Sequence, residues 1–99
     1  MGSGVGRQRT GAVSGTGSVL DVRTVTFRPT KVELLNEGGL ATAVWSETMA
    51  DAEMLKRVTS GALTKVTANG VTPLSDGFRL GADADMNVDG ELVHWVAYE

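Results

Sequence analysis

At 99 residues with 41% hydrophobic content, the chain is long enough for one domain with one modest core. It has no cysteine, which excludes disulfide bonds, Cys-ligated zinc and thiol catalysis, and no apolar run of about 18 residues, so a membrane partner is not predicted. The net charge of -3 is uneven: residues 1–31 carry +4, and the acidic remainder carries -7. This asymmetry favours docking onto an acidic neighbour, or onto the acidic body of another copy of the chain.

Residues 1–18 are predicted to form an extended, basic, glycine-rich N-terminal arm. Such a composition buries too little apolar surface to offset the entropy of ordering it. The β-domain is predicted to cover residues 19–99. Four arginines are the candidate residues for binding a partner or a second subunit: Arg7, Arg9, Arg23 and Arg28. These basic residues are sparse and lack aromatic partners for base stacking, so no nucleic-acid partner is predicted.

The first half of the β-domain predicts strands and one helical turn. A strand with a bend near Arg23–Thr24 is predicted over residues 19–27. Residues 31–35, with Val32 and Leu34 inward, and residues 41–45 then predict a hairpin around a Gly-rich turn. Apolar residues at helical spacing in 48–58 predict one short helix.

The second half predicts further strands separated by turns. Asn69-Gly70 is a strong turn dipeptide, and Asp76-Gly77 turns into a short strand over 78–80. The last strand, 91–98, is apolar on both faces, which predicts a central strand covered on both sides. The fold class predicted is mainly β: a single small antiparallel β-sandwich or barrel-like domain with an extended N-terminal arm and at most one short helix.

An acidic turn precedes the last strand. Its alternating oxygen side chains suggest calcium, but the helix–loop–helix motif requires Gly and Glu where this chain has Val88 and His94. We therefore predict a hairpin turn at Asp89-Gly90, with the remaining polar side chains capping backbone amides. Whether an irregular ion site exists is left open, and the residues concerned are Asp83, Asp85, Asn87 and Asp89. No metal site is predicted.

Few other residues are candidates for catalysis or ligand binding. His94 is the single histidine, and no serine and acid mark a catalytic triad with it, so we predict a packed or interface histidine. Trp45 and Trp95 are expected to anchor the core. No catalytic residues and no cofactors are predicted, and the chain is not expected to be an enzyme.

Three stretches carry a resemblance to a known family. They are FRPTKVELLN (residues 27–36), KVTANGVT (residues 65–72) and DGFRLGADADMNVDGELVHWVA (residues 76–97). Their order and spacing resemble a small family of tailed-bacteriophage virion proteins, in which a GF-P-K-V strand opens the domain and a hairpin with the pattern DGF…N…G…W-x-A closes it. The resemblance covers residues 18–99 and departs at Arg28, where the family often has a smaller residue.

The resemblance implies a β-rich structural module on the exterior of a phage capsid. The function it implies is that of a decoration, or cement, protein that binds and stabilises the shell of major capsid protein. Arg7, Arg9, Arg23 and Arg28 are then the candidate residues for contacting the capsid. By analogy it also implies a homotrimer. The alternative is a fibre or tail module that binds a host-surface carbohydrate or receptor through Trp45 or Tyr98, with calcium at the acidic turn. On the decoration hypothesis, deleting residues 2–17 should weaken shell binding and leave the domain folded.

Overall fold

The computed structural model describes residues 7–99, which form eight strands and no helix. The strands are β1 (Gln8–Ser14), β2 (Leu20–Val22), β3 (Lys31–Asn36), β4 (Ala41–Ser46), β5 (Glu53–Arg57), β6 (Leu63–Leu74), β7 (Gly77–Leu80) and β8 (Leu92–Tyr98). They form one antiparallel sheet in the order β1-β8-β3-β4-β5-β6-β7-β2, which curls into a nearly closed barrel. The predicted fold class, a mainly β, antiparallel, barrel-like domain, is confirmed.

The core fills the inside of the barrel, because alternate residues of each strand point inward. Val32 and Leu34 are buried as predicted, and Trp45 is only 1% exposed. The rings of Phe78 and Trp95 meet edge to face, with centroids 5.8 Å apart. The predicted hairpin is confirmed too, since β3 and β4 pair along their whole length.

The helix predicted over residues 48–58 is wrong. Residues 53–57 form β5, which pairs with β4 and β6. Met54 and Lys56 point inward, whereas Leu55 and Arg57 point outward, which is the alternation of a strand. A short apolar run fits both periodicities, and the pairing offered by two neighbouring strands decided between them.

The Asn69-Gly70 dipeptide lies within β6 and not in a turn between strands. Met54 pairs with Val66 whereas Glu53 pairs with Val71, so residues 67–70 form a bulge. Asn69 has a φ of 65°, the left-handed conformation that makes Asn-Gly a frequent turn pair. Here that conformation bends a long strand, so that its second half can pair with β7.

The predicted hairpin between β7 and β8 is wrong as well. These strands are not neighbours in the sheet: β7 lies between β6 and β2, and β8 lies between β1 and β3. Residues 81–91, named the cap segment here, instead cross one end of the barrel, and the side chain of Met86 within this segment is fully buried. The last strand is central, as predicted, but only one face is covered, because Leu92 on the outer face is 40% exposed.

The predicted arm differs most from the observed structure. Residues 8–14 form β1, which pairs with β8 over seven residues. Backbone pairing requires no apolar side chains, so composition did not reveal this strand. Gly11 lies against Trp95, and a Cβ atom at residue 11 would lie 2.6 Å from the indole ring. The start of the predicted arm, residues 1–6, lies outside the described residues.

Gly77 is a site where the sheet tolerates no side chain. A Cβ atom there would lie 1.8 Å from the carbonyl oxygen of Val22. We expect Gly77→Ala to lower the free energy of unfolding by about 2 kcal/mol, because β2 must move away from β7. Urea unfolding measures the effect, and the exposed neighbour Ser75→Ala is the control, expected to change stability by less than about 0.5 kcal/mol. Equal stability of the two variants would contradict this packing.

Candidate interaction surface

The two edge strands of the barrel face each other without pairing. The guanidinium group of Arg7 lies 5.2 Å from the ring centroid of Phe27. Further along, a groove of about 180 Å³ is lined by Ala12 and Val13 from β1, by residues 21–24 and by Trp95. We call this gap, between β1 and residues 21–27, the seam.

The edge of β1 that borders the seam carries unpaired backbone groups. The Arg7 carbonyl accepts a hydrogen bond from the Glu99 amide, and the Gly15 amide donates to the Glu91 carbonyl. Alternate residues of an antiparallel strand bond to the same neighbour, so the even-numbered residues of β1 direct their amides and carbonyls away from β8. Within residues 7–99, β1 pairs with β8 alone. The seam therefore presents a row of donors and acceptors to an incoming chain.

Two of the four predicted arginines are engaged within the chain. Arg7 makes two hydrogen bonds of 2.7 Å to the Glu99 carboxylate. The hydrogen bond from Arg7 holds the pKa of Glu99 below its ordinary value, and the Glu99 carboxylate raises the pKa of Arg7. Arg23 lies 2.7 Å from Asp76 and 3.5 Å from Asp21.

The other two arginines are available for a partner. Among residues 7–99, neither Arg9 nor Arg28 takes part in an ion pair, and both are exposed. Arg9 lies on β1. Arg28 follows Phe27 at the end of the seam and borders a second depression with Glu47 and Asp51. The structure thus brings Arg7, Arg9 and Arg23 to the seam and places Arg28 beside it.

The acidic cap segment is held by a buried lysine that sequence reasoning missed. Lys56 donates to both Asp83 carboxylate oxygens at 2.9 and 3.0 Å, and its ammonium nitrogen lies 2.7 Å from Asp85. Asp83 also accepts from the backbone amides of Asp85 and Met86. The capping of backbone amides predicted for this turn is confirmed. Strand alternation is the sequence signal that could have identified this lysine, because it places Lys56 on the same inward face as Met54.

Two buried asparagines complete the attachment of the cap segment. Asn87 accepts from the amides of Thr16 and Gly17 and donates to the carbonyls of Ser18 and Gly81. Asn87 therefore joins the β1–β2 connection to the cap. Across the barrel end, the Asn36 amide group donates to the Asp85 carbonyl and the Glu91 carboxylate. No buried side-chain nitrogen or oxygen lacks a partner in the part of the chain that the structure describes.

The three residues considered above for catalysis or ligand binding, His94, Trp45 and Tyr98, each form a hydrogen bond within the fold. The His94 ring bonds to the Glu37 carboxylate on the outer face, the indole N–H of buried Trp45 donates to the Ala50 carbonyl, and the Tyr98 hydroxyl donates to Glu33. The His94 prediction of a packed or interface residue stays a prediction. Over residues 7–99, no group of three or more His, Cys, Asp or Glu side chains is arranged to hold a metal ion.

Comparisons of the chain with protein-family models, with curated proteins and with solved structures found no match. The resemblance to phage virion proteins therefore stays a prediction from the sequence motifs. Residues 7–99 contain no helix of the length and apolar composition needed to cross a membrane.

The Lys56–Asp83 pair should make a large contribution to stability. Lys56→Met keeps much of the side-chain length but leaves the Asp83 carboxylate buried without its cation. We expect a loss of about 3 kcal/mol in the free energy of unfolding. Lys31→Met is the matched control, since the exposed Lys31–Glu33 pair, at 3.6 Å, should contribute less than about 1 kcal/mol. Urea unfolding of both variants tests this, and equal losses would contradict it.

The same lysine gives the protein a pH-dependent stability. Burial lowers the pKa of Lys56, but the hydrogen bonds to Asp85 and Asp83 outweigh burial and raise it above the ordinary 10.5. The stabilisation is then fully present below pH 10.5 and is lost as pH rises through the pKa of the folded state.

We expect the stability advantage of the wild type over Lys56→Met to shrink above about pH 10.5. The raised pKa of Tyr98, caused mainly by its hydrogen bond to Glu33, produces a loss of the same sign in both proteins, so their difference isolates the lysine. A difference that stays constant in urea titrations up to pH 12 would overturn the assignment.

Proposed function

We propose that this chain is a non-enzymatic structural protein of a tailed-phage virion. In this proposal it is a decoration protein that binds the outside of the capsid and stabilises the shell of major capsid protein. The observation that carries the proposal is the seam, where an unpaired strand edge lies beside two arginines that have no ion-pair partner in residues 7–99. An extended acidic segment of a shell protein fits such a surface by charge and by backbone pairing.

The resemblance supports the proposal because its motifs form several strands of the barrel and the cap segment. The first stretch leads from Phe27 through β3. The last includes β7, the cap segment and almost all of β8. Residues that resemble the family therefore build the fold, while the seam arginines supply charge on its surface. The expected homotrimer and the location on the capsid exterior are carried by the resemblance alone.

The fibre or tail alternative has less support from the geometry. Trp45 is buried, so it offers no ring to a sugar. The hydroxyl of Tyr98 is bonded to Glu33, and Lys31 lies 5.4 Å from its ring centroid. At the acidic turn, the carboxylates of Asp83 and Asp85 already hold Lys56. These contacts favour the capsid proposal over a carbohydrate site at these residues.

Binding to shells tests the role of the two available arginines. We expect the full chain to co-sediment with capsids of the phage that encodes it, prepared without this protein. The double variant Arg9→Ala/Arg28→Ala should bind at least about tenfold more weakly, because two charges facing the acidic shell are lost. Binding by the wild type should also fall as salt concentration rises.

The matched control is Lys31→Ala, which removes one positive charge on the outer face of β3. Its binding is compared with that of the single variants Arg9→Ala and Arg28→Ala. Undiminished binding by the arginine double variant would contradict the role of the seam. Failure of the wild type to bind any shell, together with glycan binding that a chelator abolishes, would favour the alternative. Deleting residues 2–17 is not a clean test, because it removes β1 and the loop that Asn87 holds.

A further inference from the structure

The backbone of β1 determines how an incoming strand can pair at the seam. The odd-numbered residues of β1 bond to β8, so Gln8, Thr10 and Ala12 direct their amides and carbonyls into the seam. Every neighbouring pair of strands in this sheet is antiparallel. A strand that continues this pattern runs antiparallel to β1, so its first residues lie opposite Ala12 and its last opposite Gln8.

The seam is wider than the spacing between paired strands. Nearly all Cα pairs between β1 and β2 are more than 8 Å apart. The Cα atoms of directly paired strands are about 4.5–5.5 Å apart. A strand between two others occupies about 9.6 Å, which is twice the spacing of a sheet. The seam, with its groove of about 180 Å³, therefore leaves room for one extended chain beside β1.

The groove is apolar next to Gly11. Gly11 pairs in register with Trp95, which is only 3% exposed, so the odd-numbered residues of β1 face the inside of the barrel. Gly11 itself has no side chain, and the adjoining groove is lined by Val13, Val22 and Trp95 among others. In an antiparallel pair, side chains directly opposite each other have Cβ atoms about 4.5–5.5 Å apart. An apolar side chain opposite Gly11 would therefore enter this groove.

Arg9 places a positive charge two residues before Gly11 on the same face of β1. It pairs in register with buried Ala97, yet its own side chain is exposed. Arg9 has no ion-pair partner within residues 7–99. A carboxylate on the residue opposite Arg9 would supply one. Because the added strand runs antiparallel, this acid comes two residues after the apolar residue opposite Gly11.

We propose that the seam is specific for an extended segment in which an apolar residue is followed, two positions later, by Asp or Glu. The segment binds antiparallel to β1, with its apolar side chain in the groove beside Trp95 and its carboxylate at Arg9. The inference rests on the proposed function, which places the docking contact at the seam, and adds the residue order and direction of the partner strand. In such strand addition, backbone bonds supply affinity and the contacts of alternate side chains supply specificity.

Two peptides of identical composition test the order and the direction. The probes are the acetylated and amidated heptapeptide Thr-Thr-Leu-Thr-Glu-Thr-Thr and its reverse, Thr-Thr-Glu-Thr-Leu-Thr-Thr, with Thr chosen because it favours extended chains. We expect the full chain to bind the first at least about tenfold more tightly in NMR titrations. In the antiparallel register the reverse peptide places its acid in the apolar groove and its leucine at Arg9.

Hydrogen exchange of the full chain locates the bound peptide. The first peptide should protect the amides of Gln8, Thr10 and Ala12, because these donate into the seam. The amides of Arg9 and Gly11 already bond to β8, so their exchange should not change.

Charge reversal tests the contact with Arg9. Arg9→Glu should prefer the first heptapeptide with Lys in place of Glu, by about fivefold or more, which is the opposite of the wild-type preference. Lys31→Glu is the matched control. It changes the net charge by the same amount on the outer face of β3, and it should keep the wild-type preference.

Several outcomes would overturn the inference. Equal affinity for the two heptapeptides would exclude the antiparallel register, and so would unchanged exchange of the β1 amides at millimolar peptide. Concentration-dependent protection of the same amides without peptide would assign the edge to a second copy of the chain instead. Shell binding without ordered peptide binding would reject this specificity and leave the proposed function standing. Ordered peptide binding without shell binding would support the specificity and reject the capsid role.

Discussion

The interaction of Lys56 with Asp83 and Asp85 is the contact on which the closed end of the barrel depends. A lysine inside a barrel wall is costly unless its charge is paired. Here the cap segment supplies two carboxylates, and its backbone amides bond to one of them. The carboxylates of the acidic turn therefore neutralise the charge of Lys56. This pairing lets residues 81–91 cross the barrel end with the side chain of Met86 buried.

The cap segment also contacts the connection between the two edge strands of the sheet. Asn87 holds the connection between β1 and β2, and these strands are the two edges of the barrel. The edges are thus kept facing each other although they do not pair. An edge held in this way is a template for another chain, and natural sheets usually protect such edges. This is the physical reason for placing the proposed docking contact at the seam.

The seam combines two features that suit the same kind of partner. The outward edge of β1 offers backbone donors and acceptors, because β1 pairs with β8 alone among residues 7–99. Arg9 and Arg28 are exposed and add positive charge beside that edge. Backbone pairing and charge therefore both favour an extended acidic segment.

The sequence determined the mainly β fold class, the β3–β4 hairpin and the inward positions of Val32 and Leu34, because period-two alternation and turn residues are local signals. The tertiary structure decided the rest. It made residues 53–57 a strand instead of a helix, since two neighbouring strands paired with them. It bent β6 at Asn69 where a turn was predicted, and it drew residues 8–14 into the sheet through backbone bonds that composition does not encode. The net positive charge of the N-terminal third follows directly from the sequence. Folding decided that Arg7 and Arg23 form ion pairs of 2.7 Å, because Glu99 and Asp76 lie 92 and 53 residues away in sequence. Folding also left Arg9 and Arg28 without an ion-pair partner in residues 7–99.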